Sequence, residues 1–514
     1  MKTFISCIPA FCILVLSASA QCPPTGNITF SKQSQIDSFH IKYPDCTELA
    51  GNVVIVGYDI TNLQGLRSLT FIKGSLGIGG HYRGNPELIS LEGLNRLRQV
   101  SGNLNIESNK KILDLKGLDS LTIIGGSLTV SGYINGNFSL TSLDGLNNLT
   151  SIGGGLTIEA NRALTNIKAL SNVGSVRLSI LIAGNVMLNS LEGLEKIEKL
   201  IGSLILKSNY SLNNLRGLEG LKETGSIVRI LDNIALLNLE GLENLRTIGR
   251  DVEIYSNPSL VSLKGLNNLR DIFGALTIGT EGALFGNPAL TSLEGLESLT
   301  TIGGYARIVN NPSLTSLQGL RSLSAIGDYF VIGDHPNLKD LSGLENLRAI
   351  NGAFAVFASS EESANGLLSL KGIENLDPAT VTHLIIESSP QLSFCALENI
   401  CTYLQNGGSS SIYDNGVGCN TLPEIETACK AVSVEEKAIQ SAVIFPNPTK
   451  GLLNLNINDT AIREIKLSDA FGRHIFTQVI SGFQVDINHL SPGIYFVEVI
   501  TSSGYSVKRK IVKM

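Results

Sequence analysis

Leucine and isoleucine recur along this chain in short clusters on a beat of about 24 residues, from roughly residue 60 to residue 392. Each block reads Asn-Pro-x-Leu-x-Ser-Leu-x-Gly-Leu-x-x-Leu-x-x-Ile-Gly-Gly-x-Leu-x-Ile-x-x. One block carries Leu260, Leu263, Leu266, Leu269, Ile272, Leu276 and Ile278, separated by Gly, Ser, Asn and single charges. The glycines and short polar breaks rule out one long amphipathic helix. The Leu-x-Ile pair alternates as a strand does, and Leu-x-Ser-Leu and Leu-x-x-Ile fit short extended pieces joined by corners. The pattern predicts a mainly β chain: three short strands per turn, coiled as a right-handed parallel β-solenoid.

The register is fixed by the glycine of the Gly-Leu step, at Gly65, Gly93, Gly117, Gly145, Gly193, Gly217, Gly241, Gly265, Gly295, Gly319, Gly343 and Gly372, with Ala169 in one slot. An asparagine keeps the same beat at Asn85, Asn109, Asn137, Asn161, Asn185, Asn209, Asn233, Asn257, Asn287 and Asn311, and His335 and Ser389 take its place later. A polar residue at a fixed corner of every turn predicts a buried ladder whose amides satisfy backbone groups of neighbouring turns. Strand spacing of about 4.8 Å makes twelve or thirteen turns a rod of roughly 60 Å, with about seven aliphatic side chains of each turn inside.

At the N-terminal end, Met1 and Lys2 precede an apolar stretch from Phe4 to Leu16 and the small residues Ala18, Ser19 and Ala20, the pattern of a signal peptide over 1–20. Export is therefore expected. Gln21 before Cys22 argues against lipidation there, because such a cysteine ordinarily follows a small residue. Removal of the signal leaves two cysteines before the repeats, Cys22 and Cys46, and four after them, Cys395, Cys401, Cys419 and Cys429. Even numbers at both ends of an exported solenoid predict disulfide-stapled caps over the exposed core ends, over 21–60 and 393–429. Cys22 pairs with Cys46 in this reading, and such a loop contributes about 3 kcal/mol. The last four cysteines leave three pairings open. No Cys-x-x-Cys spacing supports zinc, and no metal or cofactor is expected.

The aliphatic beat of 61–392 stops before residue 430, a polar linker covers 430–441, and a second domain occupies 442–514. Alternating apolar runs at 452–457, 462–467, 474–479, 493–500 and 506–512, with turns at 469–472 and 491–493, predict a small antiparallel β-sandwich. Its residues follow an ordered pattern: Phe445, Pro446, Asn447, Pro448, Thr449 and Gly451, then Leu467, Asp469, Gly472 and Arg473, then Leu490 to Tyr495 with Pro492 and Gly493, then a basic end with Lys508, Lys510 and Lys513. In these motifs the domain resembles the C-terminal sorting domain of the type IX secretion system (type A). The resemblance implies the type IX machinery as partner and passage across the outer membrane of a Bacteroidetes-type bacterium. It also implies removal of this domain and attachment of the remainder to surface lipopolysaccharide.

The repeat region, in the run Gly303-Gly304-Tyr305-Ala306-x-Ile308-x-x-Asn311-Pro312-x-Leu314-x-Ser316-Leu317-x-Gly319-Leu320, resembles the receptor L domain, a leucine-rich-repeat-like β-helix of surface proteins. That resemblance speaks for fold; the ligands of such domains differ from protein to protein.

Candidate chemistry is sparse. Six histidines, no tryptophan, and no Gly-x-Ser-x-Gly, His-Glu-x-x-His or phosphate-loop pattern leave little from which to build an active site. A polysaccharide-cleaving β-helix would stack acids and bases on one face over consecutive turns. The position between Leu and Ile of the long strand instead runs Leu181, Ile205, Arg229, Glu253, and the position after Ile runs Lys207, Leu231, Tyr255 in the middle turns. This predicts an outward apolar stripe of Leu181, Ile205, Leu231 and Tyr255 bordered by Lys207, Arg229 and Glu253, a surface suited to binding. All four lengthened blocks place their extra residues at one corner, before the asparagine slot, and bring His81, Tyr82, Arg83, Tyr133, Phe285, Glu361 and Glu362 to it. Loops on one edge of a repeat rod commonly form its binding face.

A net charge of −6 favours neither nucleic acid nor an anionic membrane, and nothing beyond the signal is long enough to span a bilayer. The expected function is recognition or adhesion at the cell exterior, toward an extracellular protein or glycan, without chemistry of its own. A structural spacer is the alternative, and a polysaccharide-degrading enzyme a more distant one.

Overall fold

The computed structural model of the protein describes residues 22–23, 26–132, 136–280, 286–359, 365–430, 443–456, 462–478, 484–501 and 506–514. The expected signal peptide, Tyr133, Phe285, Glu361, Glu362 and nearly all of the linker lie outside these residues.

Each turn of the repeat contributes one four-residue strand, such as Leu204–Lys207, to a 16-stranded sheet in which every pairing is parallel and neighbours follow chain order. Register is kept turn upon turn: Leu204 pairs with Val228, and Val228 with Val252. A second side consists of two-residue strands in two parallel sheets, six-stranded from Glu48–Leu49 to Ser175–Val176 and seven-stranded from Lys199–Leu200 to Ala349–Ile350. The break between them falls at Arg177 and Leu178, where the corner pair that carries at least one glycine in the other turns of these two sheets carries none. The two turns stay joined there by single backbone hydrogen bonds, from the Ile201 amide to the Arg177 carbonyl at 3.1 Å and from the Gly202 amide to the Leu178 carbonyl at 2.9 Å.

The third side departs from the expected three strands per turn. The Leu-x-Ser-Leu segment closes on itself through local turn bonds, as from the Leu94 amide to the Leu91 carbonyl at 3.2 Å and from Leu97 to Leu94 at 2.8 Å. Its turns are linked by single backbone bonds, as from the Leu215 amide to the Glu240 carbonyl at 2.7 Å, and by isolated bridges such as Ser292 with Ser316, without a continuous strand ladder. The cause is the glycine of the Gly-Leu step, held at φ between 108° and 120° in ten turns, a conformation that ends a strand and disfavours any side chain. Gly65, Ala169 and Gly319 instead lie in 3₁₀ turns, which explains how alanine fits one slot.

The sheet also runs beyond the repeats. Ile28–Phe30 and Val53–Ile55 of the N-terminal cap and Ser410–Tyr413 of the C-terminal cap are its outer strands. Fifteen strand intervals make the rod about 70 Å long, longer than twelve or thirteen turns imply. Its core is continuous, with the repeat leucines and isoleucines essentially inaccessible from Leu49 to Leu392. The N-terminal end is covered by the helix Gln33–Lys42, which buries Ile36 and Phe39. The C-terminal end is covered by Glu398–Gln405 and a helical segment at 422–430.

Residues 443–514 form seven antiparallel strands in two sheets, one of three and one of four strands. Val443–Phe445 and Gln484–Asp486 are additional to the five expected. Leu453, Leu455 and Val485 of the first sheet and Ile465, Leu467, Val497, Val499 and Ile511 of the second form one buried cluster, as in a small sandwich.

Candidate functional site

The asparagine column is a buried ladder. Asn209 donates from Nδ2 to the Ile182 carbonyl at 2.9 Å, while the Oδ1 of Asn233 accepts the Asn209 amide at 3.0 Å, and the same pair of bonds recurs from turn to turn. His335 keeps both bonds without an amide: Nε2 lies 3.0 Å from the Ile308 carbonyl, and Nδ1 lies 3.4 Å from the Asn311 amide nitrogen. The Ile308 carbonyl requires a proton on Nε2, while Nδ1 lies between the Asn311 amide and the Asn311 carbonyl, the latter at 3.2 Å, and complete burial favours the neutral ring, in which Nδ1 accepts. Burial pushes its pKa down to about 4. The ladder continues through Asn365 and Ser389 to Asn415, whose Nδ2 donates to Ile386 at 2.7 Å. Asn365 and Asn415 escaped the sequence reading because an insertion and the cap interrupt the beat before them. This column is structural.

On the outer face of the long sheet, Leu181, Ile205 and Tyr255 are half-buried and Lys207 is exposed. Leu231 is buried rather than outward. It pairs in register with Lys207 and Tyr255 on adjacent strands, at the corner where the chain turns down into buried Asn233, and Ser131, Ala183 and Val309 are buried at the same position of other turns. Arg229 and Glu253 hold each other in a two-point ion pair, Nε to Oε2 at 2.6 Å and Nη2 to Oε1 at 2.7 Å. The Glu253 hydrogen bond raises the Arg229 pKa further above its ordinary value. The expected stripe is therefore discontinuous, and two of its three bordering charges are paired with each other.

The insertion corner is more open. The rings of His81 and Tyr82 meet edge to face at 4.5 Å, Tyr82 is 72% exposed, and Arg83 is exposed beside them. Between the second and third insertions, the residue after the ladder position runs Phe138, Arg162, Val186, Tyr210 and Ile234 in consecutive turns. Arg162 lies over the Phe138 ring at 5.6 Å, and Phe138, Tyr210 and Ile234 are exposed, as are Met187, Leu237 and Val261 on the same side. Sequence reasoning missed this column. Its signal was present, because the same slot holds proline at Pro86, Pro258, Pro288, Pro312, Pro336 and Pro390, and large or cationic side chains replace it over consecutive turns from Lys110 to Ile234.

The three disulfides are Cys22 to Cys46, Cys395 to Cys419 and Cys401 to Cys429. The first was expected. The second spans 24 residues, one repeat period, so it staples the cap to the turn beneath it, and that spacing would have selected it. Among the described residues, no group of three or more His, Cys, Asp or Glu side chains is placed to hold a metal, and no helix is long and apolar enough to cross a membrane.

In the C-terminal domain the motif residues shape turns and an edge. Asn447, flanked by Pro446 and Pro448, uses its side-chain amide as a strand would: Nδ2 donates to the Lys510 carbonyl and Oδ1 accepts from the Val512 amide, both at 2.9 Å. Thr449 continues that pairing with the Val512 carbonyl and the Met514 amide, so the segment covers the free edge of Ser506–Lys513. Gly451 sits where a Cβ would lie 1.8 Å from the Asn488 Oδ1. Asp469 accepts from the Phe471 and Arg473 amides and from Arg473 Nε at 2.7 Å, closing a turn that needs Gly472 at φ 81°. Burial opposes ionisation of Asp469, but these bonds outweigh it and hold the carboxyl below its ordinary range. Pro492 precedes the strand that Gly493 opens, and the Tyr495 hydroxyl donates back to the Ser491 carbonyl at 2.8 Å. Lys508 lies over the Phe496 ring, Lys510 is exposed, and Lys513 is buried with Nζ on the Lys450 carbonyl at 2.7 Å.

The family described as secretion system C-terminal sorting domain matches residues 443–514. No curated protein matches the chain. The chain thus carries a type IX sorting domain, which marks it for export to the cell exterior or surface through the secretion machinery.

Proposed function

We propose that this chain is an exported recognition protein that binds an extracellular protein or glycan along the insertion corner of its solenoid and carries out no chemistry of its own. The observation that supports this reading is the run of Phe138, Arg162, Val186, Tyr210 and Ile234, one per turn at about 4.8 Å spacing, in a slot that proline fills at Pro86 and from Pro258 to Pro336. Aromatic and arginine side chains are the usual anchors of interfaces, and exposed apolar residues aligned over several turns gain roughly 25 cal/mol per Å² when covered. His81, Tyr82 and Arg83 extend the same edge toward the N-terminal end. Surface attachment through lipopolysaccharide after loss of 443–514 belongs to the same proposal, and mass spectrometry of the exported protein tests it by the mass of its C-terminal end.

The recognition reading is tested by screening the purified chain on a mixed glycan and extracellular-protein array, beside a variant carrying Phe138→Ala, Tyr210→Ala and Ile234→Ala. Binding that the variant loses supports the corner. Binding that it keeps moves the site elsewhere, and an array with no binder favours a spacer.

A further inference from the structure

The residue just before each long strand forms a column on the outer face of the sheet, and in most of the earlier turns it has a structural task. Asn52 Oδ1 accepts the Ser75 amide, Ser75 Oγ the Asn103 amide, Asn103 Oδ1 the Ser127 amide, Ser127 Oγ the Gly155 amide and Ser179 Oγ the Ser203 amide, all at 2.8–3.0 Å. Asp251 does so for Ala275 at 2.9 Å. Beyond Asp251 the column runs Ala275, Tyr305, Tyr329, Ala353 and His383, as the strand registers place them. A tyrosine here abandons the capping task, and departures from a fold's own local rule concentrate at functional positions.

Tyr305 and Tyr329 stack with centroids 4.7 Å apart and planes within 4°. That separation matches the strand spacing, so the free face of Tyr329 looks along the rod over Ala353, and the free face of Tyr305 looks the other way over Ala275. Arg307 lies close enough to the Tyr329 hydroxyl to act on it electrostatically. On the far side of Ala353, His383 leans away from it, with Nδ1 2.8 Å from Ser409 Oγ and Nε2 3.2 Å from Ser411 Oγ. Two strand intervals, about 9.6 Å, therefore separate Tyr329 from His383 above a floor of one methyl group. One saturated ring lying about 4 Å from the tyrosine fits that space. The exposed Asp328 and Thr382 flank its mouth with groups that pair with hydroxyls.

We infer that this slot is a carbohydrate subsite, in which the C–H face of a pyranose ring stacks on Tyr329 over Ala353 and its hydroxyls bond the polar rim. The electron-rich face of an aromatic ring attracts the weakly positive C–H bonds of a sugar. A rim of carboxylate and hydroxyl groups suits a polyol better than an apolar peptide side chain. The site lies on the sheet face and goes beyond the corner surface proposed above.

The test is calorimetric titration of the full chain with cellohexaose, laminarihexaose, xylohexaose and mannohexaose. At least one is expected to bind. Its affinity should fall about tenfold or more in Tyr305→Ala/Tyr329→Ala and in Ala353→Leu, which fills the slot and leaves the stack intact. Tyr329→Phe and the triple corner variant should retain it. Melting curves identify a variant that has unfolded, and Ala353→Leu then carries the decision. The inference is overturned if none of the four sugars binds, or if binding survives Ala353→Leu. It is equally overturned if the corner variant alone abolishes binding.

Discussion

Two columns of polar residues run the length of the solenoid, and they tolerate change very differently. The corner column is sealed: from Asn85 to Asn415 its members are buried or nearly so, and only His335 and Ser389 replace asparagine. His335 reproduces both hydrogen bonds of the amide, and Ser389 still takes a bond from Asn365 Nδ2 at 3.3 Å. The column before the long strands is half open to water, and it gives way to Ala-Tyr-Tyr-Ala-His after Asp251 without interrupting the sheet. The difference follows from solvent. An amide left without a partner in the core costs about 1–3 kcal/mol, whereas one at the surface bonds to water. Sequence freedom therefore lies on the sheet face and the insertion corner, and binding surfaces can arise there without loss of the rod.

The sharpest break in this comparison is Asn209→Ala. It strands the Ile182 carbonyl and the Asn185 amide, and the Asn233 end of the ladder loses its neighbour. A loss of about 4 kcal/mol is expected from two unsatisfied buried groups and a small cavity, measurable as a lower urea midpoint for the solenoid.

His335 gives the next largest effect, and its sign is fixed by linkage. The folded pKa near 4 lies below the ordinary 6.5, so the neutral-ring contribution is complete above pH 6.5 and is lost as pH falls toward 4. The full loss is about 3 kcal/mol. His335→Asn should flatten the stability profile across that window. An unchanged slope would mean that other groups carry the acid sensitivity.

The sequence exposed the features that repeat and hid those that do not. The 24-residue beat, the buried asparagines and the Cys22 to Cys46 pair were legible because each recurs or stands alone. The third strand of each turn was a wrong expectation: apolar spacing shows which side chains face inward, but φ at glycine decides whether that piece is a strand or a turn. Leu231 looked outward by alternation, but its position already belongs to the corner that leads into the buried asparagine, where Ser131, Ala183 and Val309 are buried as well. Phe138, Tyr210 and Ile234 are marked in the sequence only by the loss of proline from their slot, a weaker signal than the added length of the insertions. In the sorting domain the motif was legible as a resemblance, and the structure adds its reason: Asn447 substitutes for a strand on an open edge.

Glycine at the Gly-Leu step gives a smaller and more selective effect. Gly217 sits at φ 110° with the Leu191 carbonyl oxygen 2.1 Å from where a Cβ would be. Gly217→Ala should cost about 2 kcal/mol through strain and a shift of the turn. Ala169→Gly, in a 3₁₀ turn where alanine already fits, should cost only about 1 kcal/mol through unfolded-chain entropy. Equal costs at the two sites would show that positive φ is not what the glycines supply.

The smallest effect decides whether the open column is as permissive as its composition implies. Ser179→Ala removes the hydroxyl that accepts the Ser203 amide at 2.9 Å, but that amide lies at the surface and water takes the vacated place, so the expected cost is about 0.5 kcal/mol. Measured in the same background, Ser179→Ala isolates the loss of one side-chain acceptor at a half-open site, whereas Asn209→Ala removes both an acceptor and the donor to the Ile182 carbonyl in the sealed core. If Ser179→Ala costs as much as Asn209→Ala, the capping bonds of the sheet face are as binding on sequence as the buried ladder. The appearance of Tyr305 and Tyr329 in that column would then be a stability adaptation of those turns rather than a freedom that recognition has used.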